Sequence, residues 1–330
     1  MASPSVEVRA ARKLVLAAST GGHLVELVRQ LPFLGASDDS LFITFRTPQS
    51  ESLLRGRRVL YVPYVRPRDY AGVVKAVGLV NRAMAAEKFD GAVSTGAAIA
   101  LSVLPVARLR GIPATYIESV CRVDGPSTTG RVLAAVPSVS LRTQHESWSG
   151  RRWRMQPSVL STYGSAPREF PTDTQRLFVT LGTIEGYRFD SIVDAVLASG
   201  SANEDTVWQL GSTNNRPDLP GRVFGQIAPH EFERYAREAG VVVTHAGVGT
   251  LIGLLGHGIY PLMVPRRLHR GEHVDDHQLQ IAELVNRLGI GHAVEVEEFD
   301  AEAIRLVADR RIVDYAMPPT TADERDLEPA

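Results

Sequence analysis

Cysteine is almost missing from this 330-residue chain. Cys121 stands alone, so no disulfide can close within it, and a reducing compartment is implied. Long apolar runs are missing too. No stretch approaches the ~18 uninterrupted apolar residues of a spanning helix, and the opening MASPSVEVRAARK has no apolar segment behind its charges. The expectation is a cytoplasmic protein that does not cross a membrane. No internal repeat is apparent. The first glycine turn, Ser19-Thr20-Gly21-Gly22-His23, lacks the GxGxxG spacing of a dinucleotide site, which argues against nicotinamide and flavin. His273 and His277 have the i, i+4 spacing of a zinc helix, but the glutamate of a zincin motif is absent, so no metal and no other cofactor is expected. The stretch Arg142–Arg154 holds Trp148, Arg151, Arg152 and Trp153, yet no nucleic-acid-binding motif accompanies it, and no nucleic-acid partner is expected. Net charge is small, at −1, and hides an asymmetry: residues 1–170 hold 22 Lys and Arg against 12 Asp and Glu, whereas residues 171–330 hold 14 against 25. A basic first half suits an anionic surface or acceptor, although arginines on solvated faces would give the same count.

What is present is concentrated in Val241–Leu284. Val241–Val243 is a short buried-strand signal. Thr244-His245-Ala246-Gly247-Val248-Gly249-Thr250 then turns into an apolar helix. A strand, a glycine turn and a helix N-terminus leave unpaired N–H groups at the positive end of a dipole, where a phosphate or diphosphate binds. Ile259–Val264 reads as the next strand. After it come Arg266, Arg267, His269, Arg270, Glu272, His273, Asp275, Asp276, His277 and Gln278, a polar density that suits a crevice at the carboxyl ends of a parallel sheet.

The run HAGVGT, followed by VPRR and GEHVDDHQ, resembles the donor half of glycosyltransferases of the GT-B fold, in particular the family-28-like transferases that use UDP-sugars. Within that group it is most similar to bacterial exopolysaccharide enzymes and to the catalytic subunit of the eukaryotic dolichol-linked GlcNAc transferase. The resemblance implies a diphosphate turn at His245, Gly247, Gly249 and Thr250, and sugar-hydroxyl readers at Asp276, His277 and Gln278. Many relatives carry a ribose-binding Glu three residues after the turn's Thr. This chain has Gly253 there, so either another group holds the ribose or donor binding is weaker. Arg266 and Arg267 could stabilise the leaving diphosphate or read a uronate carboxylate; the two roles are not separable by sequence. Gly182-Thr183, after the strand-like Arg176–Leu181, is a second possible phosphate-facing turn.

The first half opens with Lys13–Ala18, a buried-strand signal, and its glycine turn matches the glycine-glycine-histidine turn of the acceptor domain in the same family. His23 would sit at a helix start, where the dipole lowers its pKa and keeps the ring able to accept a proton. A lone histidine can also be structural. Tyr116–Val123, with Ser127–Arg131 downstream, resembles the acceptor-side subunit of the eukaryotic GlcNAc transferase. That places Glu118 at a strand end, pointing into the same crevice as His23 and Gly96, either as partner of His23 and the acceptor or as a helix cap or ion-pair partner of Arg122. Gly21, Gly22, Gly96 and Arg122 complete the expected acceptor side. The helix at Ala71–Ala86 is expected to pack on the sheet, and the arginine loops near it (Arg46, Arg55, Arg57, Arg58) to meet an anionic membrane surface.

The expected fold class is therefore α/β, two Rossmann-like domains facing each other across a cleft (GT-B): a flexible 1–12, an acceptor and membrane-facing domain over 13–165, a UDP-sugar domain over 166–312, and a disordered acidic tail over 313–330. Pro157–Pro171 reads as the linker. The expected activity is an inverting, metal-independent transfer from a UDP-sugar to a lipid-linked saccharide acceptor, peripheral on the inner membrane face, with His23 as base aided by Glu118. Homo-oligomers or other glycan-assembly enzymes are possible partners. A UDP-sugar epimerase and a non-catalytic UDP-sugar-binding scaffold stay open as alternatives.

Overall fold

A computed structural model describes residues 11–64, 70–136, 138–170, 172–182 and 186–315, in two units that divide between Val159 and Leu160. The first is a parallel sheet of seven strands: β1 (Leu14–Ala18), β2 (Leu41–Thr44), β3 (Arg58–Tyr61), β4 (Gly91–Gly96), β5 (Ala114–Ile117), β6 (Val139–Thr143) and β7 (Trp153–Met155). Their order across the sheet is β3-β2-β1-β4-β5-β6-β7. Parallel neighbours need crossovers, and these are α1 (Gly22–Leu34), α2 (Pro48–Leu53), α3 (Tyr70–Ala86), α4 (Ile99–Leu109) and α5 (Thr128–Ala134).

Strand β1 shows why the apolar runs are continuous rather than alternating. Leu14, Leu16 and Ala18 pack with Leu24, Leu27 and Leu31 of α1. Val15 and Ala17 point the other way, to Val80 and Met84 of α3 and Ile99 and Val103 of α4. A strand covered on both faces must be apolar at every position. Each large side chain so buried contributes about 1.5–3 kcal/mol. Helix α3 packs through Ala76, Val80 and Met84, as expected for it.

The second unit repeats the plan. Its strands are β8 (Tyr163–Pro167), β9 (Leu177–Thr180), β10 (Val207–Gln209), β11 (Arg222–Phe224), β12 (Val241–His245), β13 (Leu262–Val264), β14 (His292–Ala293) and β15 (Arg310–Asp314). Six form a parallel sheet in the order β11-β10-β9-β12-β13-β14. Its helices are α6 (Asp190–Ala198), α7 (Pro229–Glu238), α8 (Val248–Gly256), α9 (His277–Leu288) and α10 (Ala301–Ala308).

The linker expectation needs correction. Tyr163–Pro167, inside the Pro/Ser/Gly-rich stretch, is strand β8, paired antiparallel with β15. The pairing spans almost the whole second unit in sequence, so no local pattern announces it. Strand β15 also runs to Asp314, two residues into the expected tail; residues 316–330 lie outside the described ones, as do residues 1–10.

In both sheets the strand order reverses once, between β1 and β4 and between β9 and β12. Open α/β sheets bind ligands at the carboxyl ends of the strands on either side of such a reversal. Among the described residues no helix is long and apolar enough to cross a membrane.

Candidate functional site

In the first unit the reversal point holds His23. The β1–β4 ladder shifts register between Ala17 and Ala18, so Ala18 faces Gly96 and Thr95 is skipped. A bulged residue leaves its backbone groups free of the ladder, and the Thr95 carbonyl lies 2.9 Å from His23 Nδ1. A carbonyl only accepts, so Nδ1 carries the proton and Nε2 keeps its lone pair. The Thr95 hydroxyl donates to the His23 carbonyl at 2.7 Å, locking the same two residues from the other side. Burial lowers the ring's pKa, and the nearby charge of Arg122 lowers it further, against the raising effect of the Thr95 bond. The tether to a strand end and a neutral ring are what a general base needs.

Gly96 is required by this arrangement. Its φ is +130°, and a β-carbon on it would stand 2.8 Å from Nδ1 of His23. Gly21, the residue before α1, has φ +85° and donates its N–H to Gln49 Oε1 at 2.7 Å, and Gly22 is the first residue of α1.

Glu118 does not reach His23 through any hydrogen bond in the structure; the Thr95 carbonyl takes the role of orienting the ring. The Glu118 carboxylate is buried and accepts from Tyr116 Oη at 3.0 Å, Ser127 N at 2.9 Å and Ser127 Oγ at 3.0 Å. Ser127 caps α5 by accepting from the Gly130 N–H. Glu118 thus supports a helix cap, one of the two readings its sequence position allowed. Arg122 lies close enough for its charge to act on His23, Tyr116, Glu118 and Cys121.

The arginine loops are partly committed within the unit. Arg46 pairs with Glu51 and lies over the Tyr61 ring, and Arg58 pairs with Glu87 and donates to the Asp39 carbonyl.

In the second unit the reversal point holds His245, the last residue of β12. Its ring is wedged between two glycines: β-carbons on Gly182 and Gly247 would meet it at 2.6 and 2.2 Å. These glycines, read in sequence as room for a phosphate, are therefore also room for the imidazole. Burial and the Arg266 charge push the ring's pKa down to about 3, against a raising bond to the backbone of Thr180. Gly247 then precedes α8, and no side chain caps that helix. The first-turn N–H groups of Val248, Gly249 and Thr250 have no intrahelical acceptor, which makes the turn an anion site in geometry. Thr183, the partner of Gly182 in the second turn, lies outside the described residues.

Arg266 is not laid out as a ligand. The side chain is fully buried over the Phe189 ring. One terminal nitrogen donates to the carbonyls of Tyr187 at 2.9 Å, Glu272 at 3.1 Å and Arg188 at 3.4 Å, and the other to Leu181 at 2.7 Å. The guanidinium closes the β9–α6 loop and the loop after β13 onto one centre. Desolvation pulls its pKa down to about 10. Arg267 is bound to Asp276 and Glu295. Gln278 is buried, and its Oε1 accepts from the N–H groups of Ala246 and Arg266 at 3.2 and 3.1 Å, tying the ends of β12 and β13. Asp276 Oδ1 accepts from Leu268 N at 3.0 Å. His277 Nε2 and His273 Nδ1 both lean on Asp275, at 3.3 and 3.0 Å, a carboxylate not singled out from sequence. Among the described residues no cluster of His, Cys, Asp or Glu has the geometry to hold a metal ion. At Gly253 an added β-carbon would meet open space, so nothing occupies the place of the absent glutamate.

Two buried groups had no sequence signal: Glu26, one helical turn beyond His23, and Glu272, which accepts from Ser191 Oγ and Arg267 N. An acidic residue in an amphipathic helix reads as surface; only the packed loop above it reveals the burial.

Residues 195–319 match the glycosyltransferase family 28 C-terminal domain. No curated protein matches the chain in sequence. Among solved structures, MurG of Acinetobacter baumannii superposes with a TM-score of 0.54 at 15% identity, over 94% of this chain and 96% of that one. The glycosyltransferase SnogD from Streptomyces nogalater gives 0.51 at 16% identity, over 91% of each chain. A UDP-GlcNAc 2-epimerase of Methanocaldococcus jannaschii, in complex with UDP-GlcNAc and UDP, gives 0.54 at 12% identity, over 96% of this chain and 97% of that one. The fold is that of GT-B proteins, α/β with two parallel sheets of seven and six strands. Family match and neighbours together support an enzyme, a UDP-sugar-dependent glycosyltransferase.

Proposed function

We propose that this chain is an inverting glycosyltransferase that moves a sugar from a UDP-sugar to a lipid-linked, polyprenyl-diphosphate saccharide in exopolysaccharide or glycan assembly, working at the inner face of a membrane. The observation that carries the reading is the tautomer of His23: Nδ1 is spent on the Thr95 carbonyl at 2.9 Å, leaving Nε2 as an acceptor on a ring that burial keeps neutral. In the reaction the acceptor hydroxyl gives its proton to Nε2 as its oxygen bonds to the anomeric carbon. The bond from that carbon to the diphosphate breaks on the opposite face, and UDP leaves with the electron pair. The uncapped start of α8 stabilises the charge that develops on the diphosphate. Asp276, His277 and Gln278 line the start of α9 on the donor side, with Arg266 and Gln278 holding the loops in place. The basic first unit suits an anionic lipid-linked acceptor. The family match supports the donor class, and the resemblance of the first half to acceptor-side subunits supports the acceptor class.

The test is UDP release from UDP-GlcNAc, UDP-Gal, UDP-Glc and UDP-GlcA, with and without a short polyprenyl-diphosphate sugar. Acceptor-dependent release from one donor is the expected result. Conversion of a UDP-sugar without acceptor would favour an epimerase. Binding of UDP with no turnover of any donor would favour a scaffold, with Gly253 as its cause.

A further inference from the structure

Glu26 is the most deeply buried carboxylate of the first unit, with none of its surface exposed. Taking such a group out of water costs several kcal/mol unless its oxygens are filled. They are filled from two other segments. Ser119 Oγ donates to Oε1; the Val120 N–H and Gln144 Nε2 donate to Oε2, both at 3.1 Å. Gln144 Nε2 also donates to the Glu118 carbonyl at 2.9 Å, and its Oε1 accepts from the Val159 N–H at 2.9 Å. His145 Nε2 donates to the Val120 carbonyl at 2.7 Å, gripping the same peptide from the other side. One carboxylate therefore joins α1, the backbone that follows β5 and the segment that follows β6. Three residues along α1 place Glu26 on the same side of the helix as His23. An apolar side chain of similar volume would fill the space at lower desolvation cost, so packing alone does not account for the charge.

We infer that Glu26 is a positioning residue for the acceptor: its carboxylate fixes the Glu118–Cys121 backbone against the helix that carries His23, so that an acceptor hydroxyl is held in register with Nε2. The inference rests on the glycosyltransferase reading for its consequence, but the tether itself does not. The neighbouring titratable groups are Glu118, Cys121, Arg122 and His145. Burial pushes the Cys121 thiol up to about 11, so it stays protonated beside Ser119 and adds no second charge at neutral pH.

The test compares Glu26→Leu, which keeps the volume, with Glu26→Gln, which keeps an acceptor for the Val120 N–H. Two readouts are taken, amide hydrogen exchange at Ser119 and Val120, and the KM for acceptor set against the calorimetric Kd for UDP. In Glu26→Leu, exchange at Val120 is expected to quicken and acceptor KM to rise roughly tenfold or more, the size of one lost charge-assisted hydrogen bond. The Kd for UDP should stay within about twofold, below the tenfold step that 1.4 kcal/mol represents. Glu26→Gln should restore most of both. Unchanged Val120 exchange in Glu26→Leu would overturn the tether, even if the wild type transferred no sugar. Quickened exchange with unchanged acceptor KM would overturn its role in positioning. Absence of transfer by the wild type would instead count against the glycosyltransferase reading, with the exchange result still deciding the tether.

Discussion

The imidazole of His23 occupies the space that a β-carbon on Gly96 would need, 2.8 Å from Nδ1. Gly96 also has φ +130°, a region L side chains rarely adopt. Gly96→Ala must therefore push the ring off the Thr95 carbonyl and strain its own backbone at a cost of about 1–3 kcal/mol. A displacement near 1 Å at a reacting group costs on the order of 100-fold in rate. Turnover should fall by that order while the Kd for UDP, measured by calorimetry, stays unchanged. Full turnover in a folded Gly96→Ala protein would show that His23 is not held for chemistry.

Arg266 predicts a different pattern. Its four carbonyl partners belong to two loops of the second unit, and each buried carbonyl left unpaired costs about 1–3 kcal/mol. Arg266→Met should destabilise the second unit by several kcal/mol on this scale and weaken UDP binding. Arg266→Lys keeps the charge but cannot span the four acceptors, so it should lie between the two. Wild-type melting of Arg266→Met would contradict the assignment of the side chain as a staple of these loops.

The acid limb of stability is assigned to His245. Its folded pKa of about 3 lies far below the ordinary value of 6.5, so the unfolded chain binds the proton first. The contribution is fully present above pH 6.5 and lost as pH falls toward 3, by at most about 1.4 kcal/mol per pH unit. Glu26 has the opposite sign. Burial raises it from 4.5 to about 7, so its contribution is present below pH 4.5 and lost as pH rises through 7. Denaturant titrations at several pH values should show the acid slope shrink in His245→Asn. An unchanged slope would place the titration elsewhere.

The sheets were the most legible part of the chain. Runs such as Leu14–Ala18 and Val241–Val243 are apolar at every position because helices cover both faces, and a glycine turn marks each strand's carboxyl end. His23, Gly96, His245 and Gly247 could be picked out for the same reason, since turns after parallel strands carry few residues. What could not be read depends on partners far away in sequence. Strand β8 finds β15 only in the fold. Arg266 and Arg267, both legible as cations, differ completely: one is sealed among carbonyls, the other paired with Asp276 and Glu295. The burial of Glu26 follows from Ser119, Val120 and Gln144, more than ninety residues on.

The central claim is that His23 takes the acceptor's proton while the second unit binds the nucleotide. The most direct measurement is acceptor-dependent UDP release by His23→Ala beside the wild type, with the Kd for UDP measured on the same samples. A general base contributes about 100- to 10,000-fold, so release should fall by that range with UDP affinity unchanged. Release within a few fold of wild type would remove His23 as the base and, with it, the mechanism drawn from its tautomer.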